Sequence, residues 1–345
     1  MQKELEMIRV LAPDVMMTLQ SRFLILRNIY WMSPVGRRTL ATKMNVTERV
    51  LRTETDFLKN LQLIETSKSG MTLTPKGKEV FDQLEEVMEE LMGTQLKEKK
   101  LAEYFNVERC IVVAGDSDQE SKVLENFGTE LTKALLEVLP QGENIVAVMG
   151  GTTMASVAEH LSNLEKPNRH NIFVPARGGI GESVSIQSNS ISAMMAMKSG
   201  GSYRALYVPE QVSSETYKSL LQEPSVQQVL DLIQEANCVI HSIGRALHMA
   251  ARRGMTPEQL AMLKQRKAVA ESFGYFFDEN GEVVYKIPRI GLQLEDLKHI
   301  ACIFAIAGGK SKAKAIHSYM KNAPTQTWLI TDEGATDQIL KGVTL

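Results

Sequence analysis

The chain has 345 residues, of which 43% are hydrophobic and 23% charged, a composition typical of a soluble globular protein. No apolar stretch approaches the length of a membrane span and no signal-peptide pattern is present, so we expect a cytoplasmic protein of two or three domains. The net charge of −2 conceals an asymmetry, because residues 1–75 hold 11 Lys and Arg against 7 Asp and Glu. A basic first segment favours a polyanionic partner.

The first 75 residues carry the pattern of a small DNA-binding domain. Two short helices joined by a turn are predicted after a longer helix, which is the arrangement of a helix-turn-helix. A Ser-Lys-Ser-Gly hairpin tip follows and indicates a wing, so the domain is predicted as a winged helix-turn-helix over residues 1–75. The predicted elements are helices over Val15–Trp31, Arg37–Met44 and Thr47–Asn60, a turn at Asn45-Val46, and strands over Leu61–Glu65 and Met71–Leu73.

The second helix of this motif is predicted to present a polar face to DNA. The residues predicted to pack inward are Val46, Val50, Leu51, Phe57 and Leu58, while Thr55 is a further candidate for the outer face. Arginine and threonine can grip phosphate or read base edges. The alternative is a small helical domain for protein contacts with solvated charges. The predicted DNA-contacting residues are Arg38, Lys43, Arg49, Arg52, Thr53 and Lys68.

Residues 76–103 are predicted as one long, charged helix with an intermittent apolar stripe that includes Val80, Leu84, Val87, Leu91 and Leu96. A solvated linker and a dimer seam both fit this pattern. An operator-binding protein usually works in two copies, so we expect a dimerisation helix.

Residues 104–345 alternate between strand and helix patterns. Such alternation predicts an α/β domain with a doubly wound, mostly parallel sheet that binds ligands beyond the carboxyl ends of its strands. The predicted strands are Arg109–Ala114, Ile145–Met149, Asn171–Val174, Tyr203–Val208, Cys238–Ser242, Ala301–Ala307 and Thr327–Thr331. The predicted helices are Glu120–Leu139, Met154–Leu161, Ser214–Ala236, Thr256–Arg266 and Lys312–Lys321.

Glycine-rich turns at those strand ends are typical of anion binding. After Ile145–Met149 come two glycines, two threonines and a helix, which can present free backbone N–H groups and a positive helix end. The alternative is an ordinary tight turn. Residues 308–312 repeat the chemistry with Lys312, and Arg177 can grip a phosphate with two hydrogen bonds. Several such turns on one sheet edge favour a phosphorylated ligand.

Four phrases of the sequence carry a family resemblance: MGGTT at 149–153, PARGG at 175–179, AGGKSKAKAI at 307–316 and TDEGA at 331–335. Behind a helix-turn-helix, this order resembles the SorC/DeoR-type transcriptional regulators, whose effector domain is similar to sugar-phosphate isomerases and deaminases. The resemblance implies a repressor of glycolytic genes that leaves operator DNA when fructose-1,6-bisphosphate binds. It implies a homodimer or homotetramer that uses neither a cofactor nor a metal.

The resemblance also assigns effector-binding residues by motif. The first phosphate would be held by Gly150, Gly151, Thr152 and Thr153, helped by Lys312 and the Gly308-Gly309 turn. The adjoining pocket would be lined by Arg177, Gly178, Gly179 and Gln187. Arg252 would hold the other phosphate, with Arg253 as the alternative, and Glu271 would accept hydrogen bonds from sugar hydroxyls.

Two other classes of function remain open from the residues alone. A sugar-phosphate isomerase or deaminase would need an acid and a base over the sugar, for which Glu271 and either His241 or His248 are conceivable. No paired carboxylate–histidine motif supports this reading, and an isomerase does not need the N-terminal segment. The other class is a protein-interaction module built on the N-terminal helices.

Overall fold

The computed structural model describes Met7 and residues 11–44, 46–92, 94–179, 183–209, 214–220 and 222–341. The chain forms two compact units, Met1–Lys97 and Glu98–Leu345. No helix in the described ranges is long and apolar enough to span a membrane.

The first unit is a winged helix-turn-helix, as predicted. The Thr47 hydroxyl caps α3 by accepting a hydrogen bond from the Val50 N–H, 3.3 Å away. The strands β1 and β2 pair antiparallel and form the wing. Its elements are α1 (Pro13–Met32), α2 (Arg37–Lys43), α3 (Glu48–Asn60), β1 (Ile64–Ser67), β2 (Gly70–Leu73) and α4 (Pro75–Met92). Asn45 of the predicted turn lies outside the described residues.

A close backbone approach locks the wing to α4. A methyl group at Gly77 would lie 1.8 Å from the carbonyl oxygen of Leu63, so only glycine fits in the first turn of this helix. Phe81 and Met88 of α4 are fully buried in the core of the first unit. The predicted helix over 76–103 corresponds to two helices of the structure, α4 and α5 (Thr94–Phe105). The role of 76–103 in dimerisation stays a prediction.

Three side chains of α3, the helix predicted to face DNA, lie on the opposite side of the helix from the one predicted. Val50 and Phe57 were expected inside and are exposed, and Val46 is exposed as well. Thr55 was a candidate for the outer face but is buried, and its hydroxyl donates to the Leu51 carbonyl oxygen at 2.9 Å. The core of this helix is formed by Leu51 and Leu58. The predicted inner face is thus confirmed at Leu51 and Leu58 and wrong at Val50 and Phe57.

The second unit confirms the α/β expectation. In its described residues, seven strands form one parallel sheet in the order β3-β13-β12-β7-β4-β5-β6. The strands are β3 (Arg109–Val113), β4 (Gly142–Val148), β5 (Arg169–Pro175), β6 (Ser202–Tyr203), β7 (Cys238–Ser242), β12 (Cys302–Ile306) and β13 (Thr327–Asp332). Apolar side chains cover both faces, which explains the unbroken apolar runs of β4, β7 and β12.

Helices and a small second sheet surround the parallel sheet. The α-helices are α6 (Ser121–Val138), α7 (Thr152–Glu159), α8 (Ser188–Ser199), α9 (Ser214–Leu220), α10 (Pro224–Gln234), α11 (Ala246–Arg252), α12 (Pro257–Gln265), α13 (Ala313–Met320) and α14 (Glu333–Leu340). Short 3₁₀ turns span Val184–Ile186, Glu295–His299 and Lys310–Lys312. The antiparallel sheet has the order β11-β10-β9-β8, from β8 (Gly244–Arg245), β9 (Ala270–Ser272), β10 (Tyr275–Phe277) and β11 (Val283–Lys286).

Two element predictions are corrected here. The predicted strand Tyr203–Val208 pairs only over Ser202–Tyr203. The predicted helix Ser214–Ala236 consists of α9 and α10, and Pro224 occupies the first turn of α10, where proline is tolerated. The helices α8, α11 and α14 and the antiparallel sheet had no predicted counterpart.

The strand order places a crevice between β4 and β7. The chain runs outward from β4 to β5 and β6, then returns to β7 and continues to β12 on the other side. At such a reversal the connections leave the carboxyl ends of neighbouring strands in opposite directions, which opens a ligand crevice. The residues after β4 and β7 therefore face one another across a single site.

Candidate functional site

The amino end of α7 forms the floor of this crevice. Gly151 adopts a φ of 128°, which L-residues rarely adopt, and the helix begins at the next residue. The first N–H groups of a helix have no acceptor within it, so those of Thr152 and Thr153 are available to an anion. The Gly151 N–H is already bonded to the Ile186 carbonyl oxygen at 2.9 Å. The candidate anion site thus consists of the helix end and the threonine hydroxyls.

Gly150 lies close to an arginine at this helix end. A methyl group here would lie 3.1 Å from a terminal nitrogen of the Arg177 guanidinium and 2.6 Å from the Ile186 carbonyl oxygen. Arg177 is buried and lines the same crevice as Thr152 and Thr153. The Ile186 carbonyl oxygen therefore excludes a side chain at position 150, and the Arg177 guanidinium lies close beside this glycine.

Lys312 reaches the same place from the other side of the sheet. Its Nζ donates to the Thr153 Oγ1 at 3.0 Å. Burial lowers the pKa of Lys312, an effect that Asp118 opposes and that Arg245 and Arg252 reinforce. A lowered pKa means that the ammonium lacks full compensation in the ligand-free protein, so an incoming anion gains from it.

Three further arginines and a histidine line the crevice beyond α7. Arg245, Arg252, Arg253 and His248 belong to its wall. Burial lowers the pKa of His248, with contributions from Arg245, Arg252 and Lys312. Together with Arg177, the wall holds four arginines and one lysine against a single carboxylate among the described lining residues. An arrangement of this kind suits a ligand with more than one negative charge.

The single carboxylate, Glu271, is held by an ion pair. The Arg253 guanidinium lies 2.9 Å from its Oε1, and the two side chains are only 3% and 5% exposed. The Gly274 N–H donates to the same oxygen at 2.8 Å. Arg252 was predicted to face the ligand, with Arg253 as the alternative; both line the crevice, and Arg253 is paired with Glu271.

Eight of the predicted effector residues meet in this crevice, and five do not line it. Gly178, Gly179 and Gln187 are not among its lining residues in the described part of the chain. Gly179 pairs with Pro209, and Gln187 precedes α8 as its N-cap. The residues that do meet there are Gly150, Gly151, Thr152, Thr153, Arg177, Arg252, Glu271 and Lys312.

The expectation that the Gly308-Gly309 turn offers free backbone N–H groups to a phosphate is corrected by the structure. The Gly309 N–H donates to Asp332 Oδ2 at 2.6 Å, and the Ser311 N–H donates to Asp118 Oδ2 at 2.7 Å. The protein's own carboxylates thus occupy the positions that a phosphate would need. The turn serves instead to carry Lys312 into the crevice. Asp118 lies about 190 positions away in sequence, so the turn's own residues gave no sign of it.

Among the lining residues that were not predicted to bind the effector are the polar residues Ser242, Arg245 and His248. Arg245 follows β7 in a Gly-Arg pair that the sequence marks as a polar strand end, which is a usable signal. His248 was named only as a conceivable acid of an isomerase, and Ser242 carries no comparable signal because its place in the crevice depends on the strand order.

His241, conceived as a possible acid, lies behind the crevice. It is fully buried on β7 and burial lowers its pKa to about 3. Its Nδ1 lies 3.1 Å from the Ser272 hydroxyl, and its Nε2 lies 3.3 Å from the Tyr319 hydroxyl. The imidazole is a neutral structural group that links β7, β9 and α13.

This burial predicts an acid-sensitive fold. Between the usual histidine pKa near 6.5 and the folded value of about 3, the unfolded chain binds one more proton than the folded chain. Stability therefore falls as the pH drops through that window, by about 1.4 kcal/mol per pH unit from this group. Urea unfolding of the parent and of His241→Gln at several pH values should show a slope smaller by that amount in the variant. His170→Gln, at an exposed position on β5, is the control and should keep the parental slope; equal slopes in all three proteins would contradict the prediction.

The predicted DNA-contacting side chains lie on the surface of the first unit. Arg38, Arg49, Arg52, Thr53 and Lys68 are exposed. Lys43 is partly buried. Exposed ion pairs involve two of them, Arg38 with Glu48 at 3.9 Å and Arg52 with Asp56 at 3.8 Å. Such pairs are weak, so phosphate or base groups can compete for these arginines.

The described residues contain no group of three or more His, Cys, Asp or Glu placed to hold a metal ion.

Comparison with known families gives two matches. A sugar-binding domain family matches residues 89–341, and the CggR N-terminal DNA binding domain family matches residues 18–88.

Individual proteins resemble the chain over different extents. The central glycolytic genes regulator of Priestia megaterium is 46% identical over 342 residues, which is 99% of each chain. A crystal structure of a SorC family transcriptional regulator from Enterococcus faecalis is 69% identical and has a TM-score of 0.69, covering 71% of this chain and 99% of that one. The full-length sorbitol operon regulator of Klebsiella pneumoniae shares the fold at 14% identity, with a TM-score of 0.63 over 92% of this chain and 97% of that one.

Proposed function

The chain belongs to the SorC/DeoR-type family of sugar-binding transcriptional regulators, and we propose that it represses glycolytic genes until fructose-1,6-bisphosphate releases it from operator DNA. A sugar-responsive regulator with a DNA-binding domain is what the family matches support, so the chain is not an enzyme. The name of the Priestia megaterium relative supports glycolytic genes as the target.

The choice of a bisphosphate rests on one observation, the five cations that share a crevice with one carboxylate. The α7 amino end, Thr153 and Lys312 would hold one phosphate, with Arg177 beside them. Arg252, with Arg245 near it, would hold the other. A sugar monophosphate would leave one of these two cationic groups uncompensated, which costs binding energy.

Release from DNA follows from linkage. A ligand shifts the protein toward the arrangement it binds more tightly, and the reciprocal effect weakens the other ligand by the same factor. The sugar would therefore favour an arrangement in which two wing-bearing domains no longer match operator half-sites. We infer a homodimer or homotetramer acting in the cytoplasm.

The test is a calorimetric titration of the full chain with fructose-1,6-bisphosphate, fructose-6-phosphate, fructose-1-phosphate and inorganic phosphate. We expect the bisphosphate to bind at least tenfold more tightly than either monophosphate. A random-sequence duplex pool would supply a preferred DNA site, from which saturating bisphosphate should release the protein. Tighter binding of a monophosphate would be compatible with a sugar-responsive regulator but would reject fructose-1,6-bisphosphate as its effector. Bisphosphate binding without release from DNA would reject the proposal that this sugar controls DNA binding.

A further inference from the structure

An apolar side chain stands out on the exposed face of α3. Val50 is 55% exposed, whereas the next residue, Leu51, is almost completely buried. Its exposed neighbours along the helix are polar, namely Arg49, Arg52 and Thr53. An exposed valine loses the stabilisation that burial would give. Packing within the first unit therefore does not explain a valine at this position.

Two other apolar side chains near α3 are exposed for local reasons. Phe57 is 39% exposed, but the Arg22 guanidinium lies over its ring at 3.7 Å from the centroid. Leu61 is 44% exposed and follows the last turn of the helix, where the chain enters the wing. Among the described residues, the hydrophobic core of the first unit does not include Val50.

Val50 occupies the part of a recognition helix that reaches bases. Its N–H bonds to the Thr47 cap, which places it in the first turn of α3. In a helix-turn-helix the amino-terminal residues of the second helix contact base edges in the major groove. Thr53 is three positions on, and residues three apart are neighbours on one helix face. The valine thus stands within the surface formed by the predicted contacts.

The major groove offers an apolar side chain one partner, the 5-methyl group of thymine. We propose that Val50 selects thymine at one position of each operator half-site through contact with this methyl group. The contact rests on the DNA-binding role of the first unit and adds a base preference to it. Arg49 and Arg52 would supply most of the affinity through charge, while Val50 supplies discrimination.

The test removes the methyl groups one at a time. The full chain is used to select its preferred duplex from a random-sequence pool, and each thymidine of that duplex is replaced in turn by deoxyuridine. Losing one buried carbon should weaken the parent's binding about fourfold at a single thymine per half-site. Val50→Ala should bind the thymidine and deoxyuridine duplexes equally at that position. Val50→Thr, which retains one methyl group, should still discriminate.

Leu61→Ala is the matched control, since it truncates another exposed apolar side chain at the other end of the helix and should discriminate as the parent does. The proposal is overturned if the parent ignores every deoxyuridine, or if Val50→Ala keeps the parental preference. Binding of the pool without enrichment of any sequence would leave a DNA-binding protein and reject the thymine contact. Failure to bind any duplex would reject the DNA-binding role and this contact together.

Discussion

Replacing Lys312 by methionine should weaken fructose-1,6-bisphosphate binding by about thirtyfold or more, since removing one partner of a desolvated charge pair typically costs at least about 2 kcal/mol. The ammonium contacts Thr153 at the amino end of α7, and burial lowers its pKa in the ligand-free protein. The same substitution removes a poorly compensated charge. The ligand-free variant should therefore melt at the parental temperature or above it. Calorimetry and thermal melts with and without the sugar separate the two effects.

Lys310→Met is the matched control. This lysine belongs to the same turn, its side chain is 59% exposed, and its Nζ lies 3.8 Å from Asp116, outside the crevice. It should bind the sugar as the parent does. If Lys312→Met kept parental affinity, or if both variants lost affinity alike, the assignment of Lys312 to a phosphate would be wrong.

Replacing Arg253 by methionine should destabilise the second unit by about 3–5 kcal/mol, because it leaves the buried Glu271 carboxylate without its ion-pair partner. For a unit of this size the melting temperature should fall by roughly 10 °C. Thermal unfolding followed by circular dichroism measures the change, with the melting of the first unit serving as an internal reference.

The double variant Arg253→Met/Glu271→Gln tests the cause. Neutralising the carboxylate removes the unpaired charge, so the double variant should be more stable than Arg253→Met alone. Effects that simply add would show that the arginine contributes by packing, and the ion pair would then have no special role.

The parts of the fold that follow from local patterns were predictable. The apolar runs of β4, β7 and β12 and the glycine turn before α7 could be read directly, because a buried parallel strand and a tight turn each restrict the residues that can occupy them. The meeting of Lys312 with Thr153 was foreseen through the family resemblance and not through spacing.

The remaining features depend on contacts between distant segments. The amides of the Gly308-Gly309 turn looked free in sequence, yet Asp118 and Asp332 occupy them. Val50 looked like a core residue because it adjoins Leu51 on an amphipathic helix, and one step around a helix separates a buried side chain from an exposed one. Partners supplied by another element leave no trace in the local pattern.

The carboxylates that hold the Gly308-Gly309 turn also reduce the conformational entropy that the proposed ligand binding would cost. Gly309 and Ser311 are held by Asp332 and Asp118 before any sugar arrives, so the backbone that presents Lys312 is already ordered. A flexible glycine loop would have to lose its conformational freedom on binding and would subtract that loss from the affinity. Because the turn is ordered when the protein folds, a ligand that bound Lys312 as proposed would not incur that loss.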